Sequence, residues 1–364
     1  MDTSSPERFL VAEDDVPLRL AALALGAPLD AKMETALGRL FAGDAAGALE
    51  RLRQIGADLG LAGQVAPSLA TAAPLEAQLA GVHYLFLEGA EVTDAVLARA
   101  PDLRLIQKHG ADCRNIDLRA AARRGVSVAT LRRWANTSVA EHTVLLLLAV
   151  ARRLLTAHAA AQHPPADAAR GASHYNWARL DGLWSLRGAT LGLVGLGEIG
   201  REVARRAAAL EMRILYTQRR PLGPALERTL GVEFRPLPSL LAEADAVSLH
   251  VPLTPETRHL LGAAELERMR RGAVLVNTSR GGLVDEAALV AALREGRLGG
   301  AGLDVRAEEP PRDAAELAAC PAVVLTPHVA AGIGTELLRD VHAVLDNVAR
   351  VRRGEPPASL ASPD

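Results

Sequence analysis

Apolar and polar positions along the chain fall into two stretches with different rhythms. From Phe9 to about Leu131, short apolar runs interrupt Ala- and Leu-rich segments. The runs 9–12, 82–87 and 103–108 predict strands, because short continuous apolar runs suit a sheet buried on both faces. Between Pro17 and Thr71 the apolar positions recur at helical spacing, without signals that fix the boundaries. Ser138, followed three residues later by Glu141, matches a capping box. It predicts a long apolar helix from Ser138 to about His158. The segment from His163-Pro164-Pro165 to Gly182 breaks the periodicity and reads as an exposed connection. From Ala189 onward strand and helix alternate. Strands are expected over 190–194, 212–216, 246–250, 273–277 and 300–305, and helices over 198–210, 237–244, 263–269 and 286–295. Such alternation implies a parallel sheet with helices on both faces, so the fold class is α/β.

Composition narrows the functional classes. A chain of 364 residues favours two domains. The net charge of −2 gives no basic field to hold nucleic acid or an anionic membrane, and 3% aromatics leave little for base stacking. Cys113 and Cys320 lie outside any CxxC pair, so no metal site is expected and both read as reduced thiols. The longest apolar run, Val144 to Val150, is far shorter than the roughly 20 residues of a membrane span. The polar opening Met1 to Arg8 lacks the order of a secretory signal. A soluble cytoplasmic protein is expected.

Gly195-Leu196-Gly197-Glu198-Ile199-Gly200 fits G-x-G-x-x-G, and here it follows a predicted strand and opens a predicted helix. In that context Gly195 permits the tight turn, Gly197 the approach of a pyrophosphate, and Gly200 close packing of helix on strand. The second strand of a dinucleotide fold ordinarily ends in an acidic residue that bonds the ribose. This chain reads Thr217-Gln218-Arg219-Arg220 instead. Gln218 does not repel a 2′-phosphate, and Arg219 or Arg220 can pair with one, which favours NADP over NAD.

Three later segments end predicted strands, where open α/β sheets bind ligands. Asn277-Thr278-Ser279-Arg280-Gly281-Gly282 brings a guanidinium, Asp304 to Pro310 brings carboxylates, and Thr326-Pro327-His328 brings an imidazole. Reduction of a 2-oxo acid needs such a set. A fixed cation holds the carboxylate and polarises the carbonyl, a histidine gives the proton, and a carboxylate beside that histidine raises its pKa and fixes its tautomer.

These segments resemble those of the D-isomer-specific 2-hydroxyacid dehydrogenase family, over roughly Leu103 to Ala331. His250-Val251-Pro252-Leu253-Thr254-Pro255-Glu256-Thr257 and the run from Asn277 to Asp285 match its pattern almost residue for residue. The resemblance implies Arg280 as the substrate-binding residue, His328 as acid/base and Glu309, directly before Pro310, as its partner. It places Asp304 on the nicotinamide carboxamide. It also implies cofactor contacts from Glu198, Ile199, Pro252, Thr257 and Thr278, with His250 lining the nicotinamide side rather than transferring the proton. Ala111, Asp112 and Cys113 would form the substrate loop. His142 reads only as a first-turn residue of the linking helix. The family topology implies a Rossmann-type doubly wound sheet inserted into a flavodoxin-like substrate domain. The substrate domain would comprise 1–137 plus 329–364, and the dinucleotide-binding domain with its linking helix 138–328. A homodimer is implied, with NADP or NAD as cofactor and a small anionic 2-oxo or 2-hydroxy acid as substrate.

Two loops depart from the family pattern. In Gly110-Ala111-Asp112-Cys113-Arg114-Asn115-Ile116-Asp117, an aspartate replaces a glycine and an arginine replaces an aspartate. Asp112 would repel an anionic substrate unless paired with Lys108 or Arg114. Leu131-Arg132-Arg133-Trp134 replaces a Pro-Gly loop, so Arg132 or Arg133 could meet a second anionic group of the substrate or could be solvated. The alternatives are a formate- or phosphite-type dehydrogenase and a dinucleotide-sensing corepressor. Glu309 in place of glutamine, and Ala111 in place of lysine, weigh against the first pair. The polar tail beyond Gly354, too short for an interaction segment, weighs against the corepressor.

Overall fold

The computed structural model describes residues 5–163, 180–311, 315–320 and 322–362. The connection expected over 163–182 falls largely outside them. The chain forms two compact units, one of Met1–Ala135 with Gly332–Asp364 and the other of Asn136–Ala331.

The first unit holds five parallel strands, β1 (Glu7–Val11), β2 (Val65–Leu69), β3 (Val82–Leu87), β4 (Leu105–Lys108) and β5 (Ser127–Ala129), in the order β2-β1-β3-β4-β5. The stretch 17–71 resolves into helices Val16–Ala24, Ala31–Leu40 and Ala45–Asp58, followed by β2. That last strand corrects the all-helical reading. Its Pro67 lacks an N–H, and β2 tolerates it because it lies at the edge of the sheet.

The C-terminal helix Gly334–Arg352 belongs to this unit for a packing reason. Its Leu337, Val341, Val344, Leu345 and Val348 are buried with Phe9, Leu52 and Phe86 in one core. Buried Asn347 donates to Gln107 Oε1 at 2.8 Å, fixing the helix to β4.

The second unit holds seven parallel strands. They are β6 (Thr190–Val194), β7 (Arg213–Thr217), β8 (Val232–Phe234), β9 (Ala246–Leu249), β10 (Val274–Asn277), β11 (Gly300–Leu303) and β12 (Val323–Leu325). Their order is β12-β11-β10-β9-β6-β7-β8, so the winding reverses between β6 and β9. β6, β9, β10 and β11 are buried along their whole lengths, as helix-covered parallel strands must be.

The apolar helix differs from the sequence expectation. It spans Ala135–Ala151, so Ser138 lies inside it and cannot be its N-cap. Glu141 pairs instead with Arg206 at 3.0 Å. The helix also stops short of His158. A break at Arg152-Arg153, with Arg153 at φ +49°, separates it from a second helix, Leu154–Gln162. Among the described residues no single helix is long and apolar enough to cross a membrane.

Candidate functional site

The candidate site gathers at the carboxyl ends of the second unit's strands, around the point where the winding reverses. Gly195, directly after β6, has φ +98°, and a Cβ there would lie 2.5 Å from the His250 carbonyl oxygen. Only glycine fits. Gly200 sits on helix Glu198–Ala209, and a Cβ on it would come within 2.4 Å of the Gly195 oxygen. Gly197 differs from both, because a Cβ would meet nothing within 4 Å. The helix N-terminus behind it carries no side-chain cap, so its first N–H groups have no intrahelical acceptor. A close-packed turn with an open, donor-rich mouth fits the phosphates of a dinucleotide.

At the end of β7, Gln218 turns its amide to the Arg220 carbonyl at 2.6 Å. Arg219 and Arg220 are exposed and form no ion pair with the described residues. His250, after β9, lies 2.9 Å by Nε2 from Ser248 Oγ, and burial pushes its pKa down to about 4. A neutral, half-buried imidazole suits a wall better than a proton donor at neutral pH. Thr257 donates to the Pro252 carbonyl at 2.7 Å and accepts from the Thr254 N–H at 2.7 Å, so its hydroxyl holds the Pro252–Thr257 turn. Glu198 accepts from Asn136 at 2.6 Å, beside Ile199. Buried Thr278 meets Thr143 hydroxyl to hydroxyl at 2.8 Å.

His328 and Glu309 come together. His328 Nδ1 lies 2.6 Å from Glu309 Oε2, and Glu309 Oε1 accepts the Arg306 N–H at 2.8 Å. Partial burial pushes the Glu309 pKa up, but the Arg306 N–H, the His328 contact and the charge of Arg280 outweigh it and hold the carboxyl below its ordinary value. Arg280 makes no direct bond to either residue, and its guanidinium donates to the Ser279 carbonyl at 2.7 Å. Gly281 brings its loop close. A Cβ there would fall 1.9 Å from the Arg306 carbonyl carbon. A cavity of about 530 Å³ opens beside the pair, lined by Arg306, Pro310, Leu325, Pro327 and His328 among others.

Two features escaped the sequence reading. Glu286 accepts from Arg306 Nη2 at 3.1 Å and from the Ala307 N–H at 2.6 Å, clamping the segment that carries Glu309. In the sequence it is only an acidic residue opening a helix. The other feature is His142, whose Nε2 lies 2.9 Å from Thr326 Oγ1. Asp304 also sits differently from the simplest expectation. Its side chain is fully buried, and its oxygens accept from Thr326 Oγ1 at 2.6 Å and from the N–H groups of Val329 and Ala330 at 3.0 Å each.

In the first unit, the loop after β4 turns at Gly110, whose φ is +116°. Ala111 and Asp112 are exposed and Cys113 is half-buried. Asp112 pairs with Arg114, accepting from Nε at 2.9 Å and from Nη2 at 2.5 Å. That bond holds its carboxyl below the ordinary value. Lys108 instead donates to the Glu88 carbonyl. Glu88 also stands 3.4 Å from His109 Nδ1 and 3.5 Å from Arg133. The His109 contact first, then the charges of Arg133 and Lys108, bring its pKa down to about 2 against the opposing effect of burial.

Comparison with known proteins decides the family. Residues 144–330 match the model of the D-isomer specific 2-hydroxyacid dehydrogenase NAD-binding domain. The chain is 41% identical over 270 residues to a glyoxylate reductase of Korarchaeum cryptofilum, covering 73% of this chain and 78% of that protein. The chain belongs to the D-isomer specific 2-hydroxyacid dehydrogenase family. A glycerate dehydrogenase of Methylorubrum extorquens is 34% identical, with 77% and 85% covered. A crystal structure of a Thermus thermophilus protein superposes with a TM-score of 0.67 at 36% identity, covering 98% of this chain and 100% of the other. The protein is therefore an oxidoreductase of 2-hydroxy acids that uses a nicotinamide dinucleotide, with a Rossmann-type unit and a second parallel α/β unit.

Proposed function

We propose that the protein reduces a small 2-oxo acid, glyoxylate or one close to it in size, to the 2-hydroxy acid, with NADPH as preferred donor. The observation that carries this reading is the 2.6 Å contact between His328 Nδ1 and Glu309, with the Arg280 charge acting on the same carboxylate. Glu309 fixes the imidazole tautomer and stabilises its protonated form, which leaves Nε2 to give a proton to the substrate oxygen. Arg280 holds the substrate carboxylate and polarises the adjacent carbonyl. Bound nicotinamide supplies the hydride.

The glycine turn is assigned to the pyrophosphate, with Gly197 at its open mouth. Exposed Arg219 and Arg220 beside uncharged Gln218 support the preference for a 2′-phosphate. The Asp112–Arg114 pair removes the negative charge that would repel an anionic substrate. Arg133 stands against Glu88, which supports a monoanionic substrate over one with a second charged group. Similarity to a glyoxylate reductase supports the small size.

A homodimer is supported by Leu145, Leu148, Leu154 and Leu155, which are 37–55% exposed on two consecutive helices. Light scattering on the purified protein measures it. Neither Cys113 nor Cys320 forms a disulfide, in keeping with a cytoplasmic site.

The test is dinucleotide oxidation with glyoxylate, pyruvate, hydroxypyruvate, an aromatic 2-oxo acid and a dianionic one. Highest kcat/KM for glyoxylate or hydroxypyruvate, with NADPH favoured, supports the proposal. A dianionic acid as best substrate, or NADH used at least as well, overturns the corresponding part.

A further inference from the structure

We infer that His142 is a positioning residue for proton transfer, acting through Thr326 and Asp304 on the loop that carries His328. This rests on the reading of His328 as the proton donor.

His142 projects from helix Ala135–Ala151, with its side chain 14% exposed. Its Nε2 lies 2.9 Å from Thr326 Oγ1, and Thr326 Oγ1 lies 2.6 Å from Asp304 Oδ1. The direction of this chain follows from its end. The Asp304 side chain accepts the Val329 and Ala330 N–H groups, and the Thr326 hydroxyl donates to it as well. Thr326 Oγ1 then has only lone pairs for His142, so His142 must carry its hydrogen on Nε2. Hydrogen bonds in series polarise one another, which strengthens the hold on Asp304.

Asp304 is the hub of the His328 loop. Its carbonyl accepts the His328 N–H at 2.8 Å, while its carboxylate accepts the N–H groups of the next two residues. His328 itself has φ +52°, a left-handed conformation that a residue with a Cβ adopts only when its surroundings impose it. Three consecutive N–H groups bound to one residue impose it. The helix is in turn locked beside His142, because Thr143 donates to the Val139 carbonyl and meets Thr278 at 2.8 Å. His142 thus transmits the register of a rigid helix to the loop that aims the imidazole. Asp304 and Thr326 line the cavity next to His328, whereas His142 stands behind them, outside its lining.

Four variants test this. His142→Leu removes the donor, and His142→Gln returns an N–H near the position of Nε2. Thr326→Val removes the relay with little change in volume, and His328→Ala is the control for the reaction itself. With His142→Leu, kcat falls about 10- to 100-fold, the penalty of a misplaced catalytic group, while KM for the 2-oxo acid and dinucleotide affinity stay near wild type. Amide exchange at Val329 and Ala330 speeds up. His142→Gln restores most of kcat and the slow exchange, and Thr326→Val reproduces the Leu phenotype even if the Leu variant folds poorly. Wild-type kcat in His142→Leu, unchanged exchange at Val329 and Ala330, or equal impairment of the Gln and Leu variants overturns the inference. Full activity in His328→Ala would instead overturn the reading of the site on which it rests.

Discussion

His328 Nδ1 and Glu309 Oε2 stand 2.6 Å apart although the two residues leave different strand ends, β12 and β11. The loop after β11 bends back so that Glu309 also caps the Arg306 N–H, and Glu286 clamps that loop from helix Glu286–Arg294. A carboxylate held in this way stays ionised and keeps the imidazole oriented.

Changing Glu309 to Gln preserves shape but removes the charge. The expected result is a fall in kcat of about 100-fold or more, the scale of general acid catalysis. The sign of the pH effect follows from the lowered Glu309 pKa. The wild-type carboxylate is ionised throughout the neutral range, so it holds a proton on His328 to higher pH than the amide does. The variant should lose reductase activity at lower pH than wild type, measured as the alkaline limb of kcat/KM.

Gly281→Ala tests the packing that brings Arg280 to the site. The new Cβ would lie 1.9 Å from the Arg306 carbonyl carbon, so one loop must move. A loss of about 1–3 kcal/mol of stability is expected in denaturant titration. KM for the 2-oxo acid should rise with it, because Arg280 shifts. Unchanged KM beside a full loss of stability would show that the Arg306 loop gives way and Arg280 keeps its place.

Replacing both Arg219 and Arg220 by Ala should lower kcat/KM with NADPH and leave the value with NADH nearly unchanged. Each exposed cation paired to a phosphate is worth roughly 1 kcal/mol or somewhat more, so the ratio of the two cofactors should drop at least about 10-fold.

Asp340 gives a prediction for stability. Its Oδ1 accepts the Trp134 N–H at 2.8 Å, but its buried Oδ2 has no partner among the described residues. Burial raises its pKa, against the opposing effects of the Trp134 N–H, His109 and Arg133. A carboxyl whose folded pKa is raised supports folding at low pH, and that support is lost as pH rises through the folded value. Asp340→Asn keeps the acceptor and removes the charge. It should stabilise the protein at neutral pH by about 1–3 kcal/mol. The gain should vanish below about pH 4, the ordinary carboxylate range. Equal thermal stability of both proteins at neutral pH would contradict this.

Much of the second unit was legible because its signals are local. The strands β6 and β9 to β11 are short, mostly apolar and buried throughout, and Gly195, Gly197 and Gly200 sit on one strand-to-helix turn. What was not legible depends on contacts between distant residues. Ser138 and Glu141 have capping-box spacing, yet the helix begins earlier and Glu141 meets Arg206 across the fold. β2 lies inside the stretch read as helical, because Pro67 speaks against a strand and nothing local says that it lies at an edge. His142 is a lone polar residue on an apolar helix, and only its contact with Thr326, 184 residues away, reveals its part.

Hydride transfer at this site is measured by reducing glyoxylate with NADPH deuterated at the transferable C4 position and analysing the product by mass spectrometry. Glycolate carrying one deuterium on carbon is expected from the wild-type enzyme, and its formation should be almost abolished by His328→Ala and Arg280→Ala. Wild-type protein that binds NADPH yet yields no deuterated product from glyoxylate, or variants that form it as fast as wild type, would contradict this.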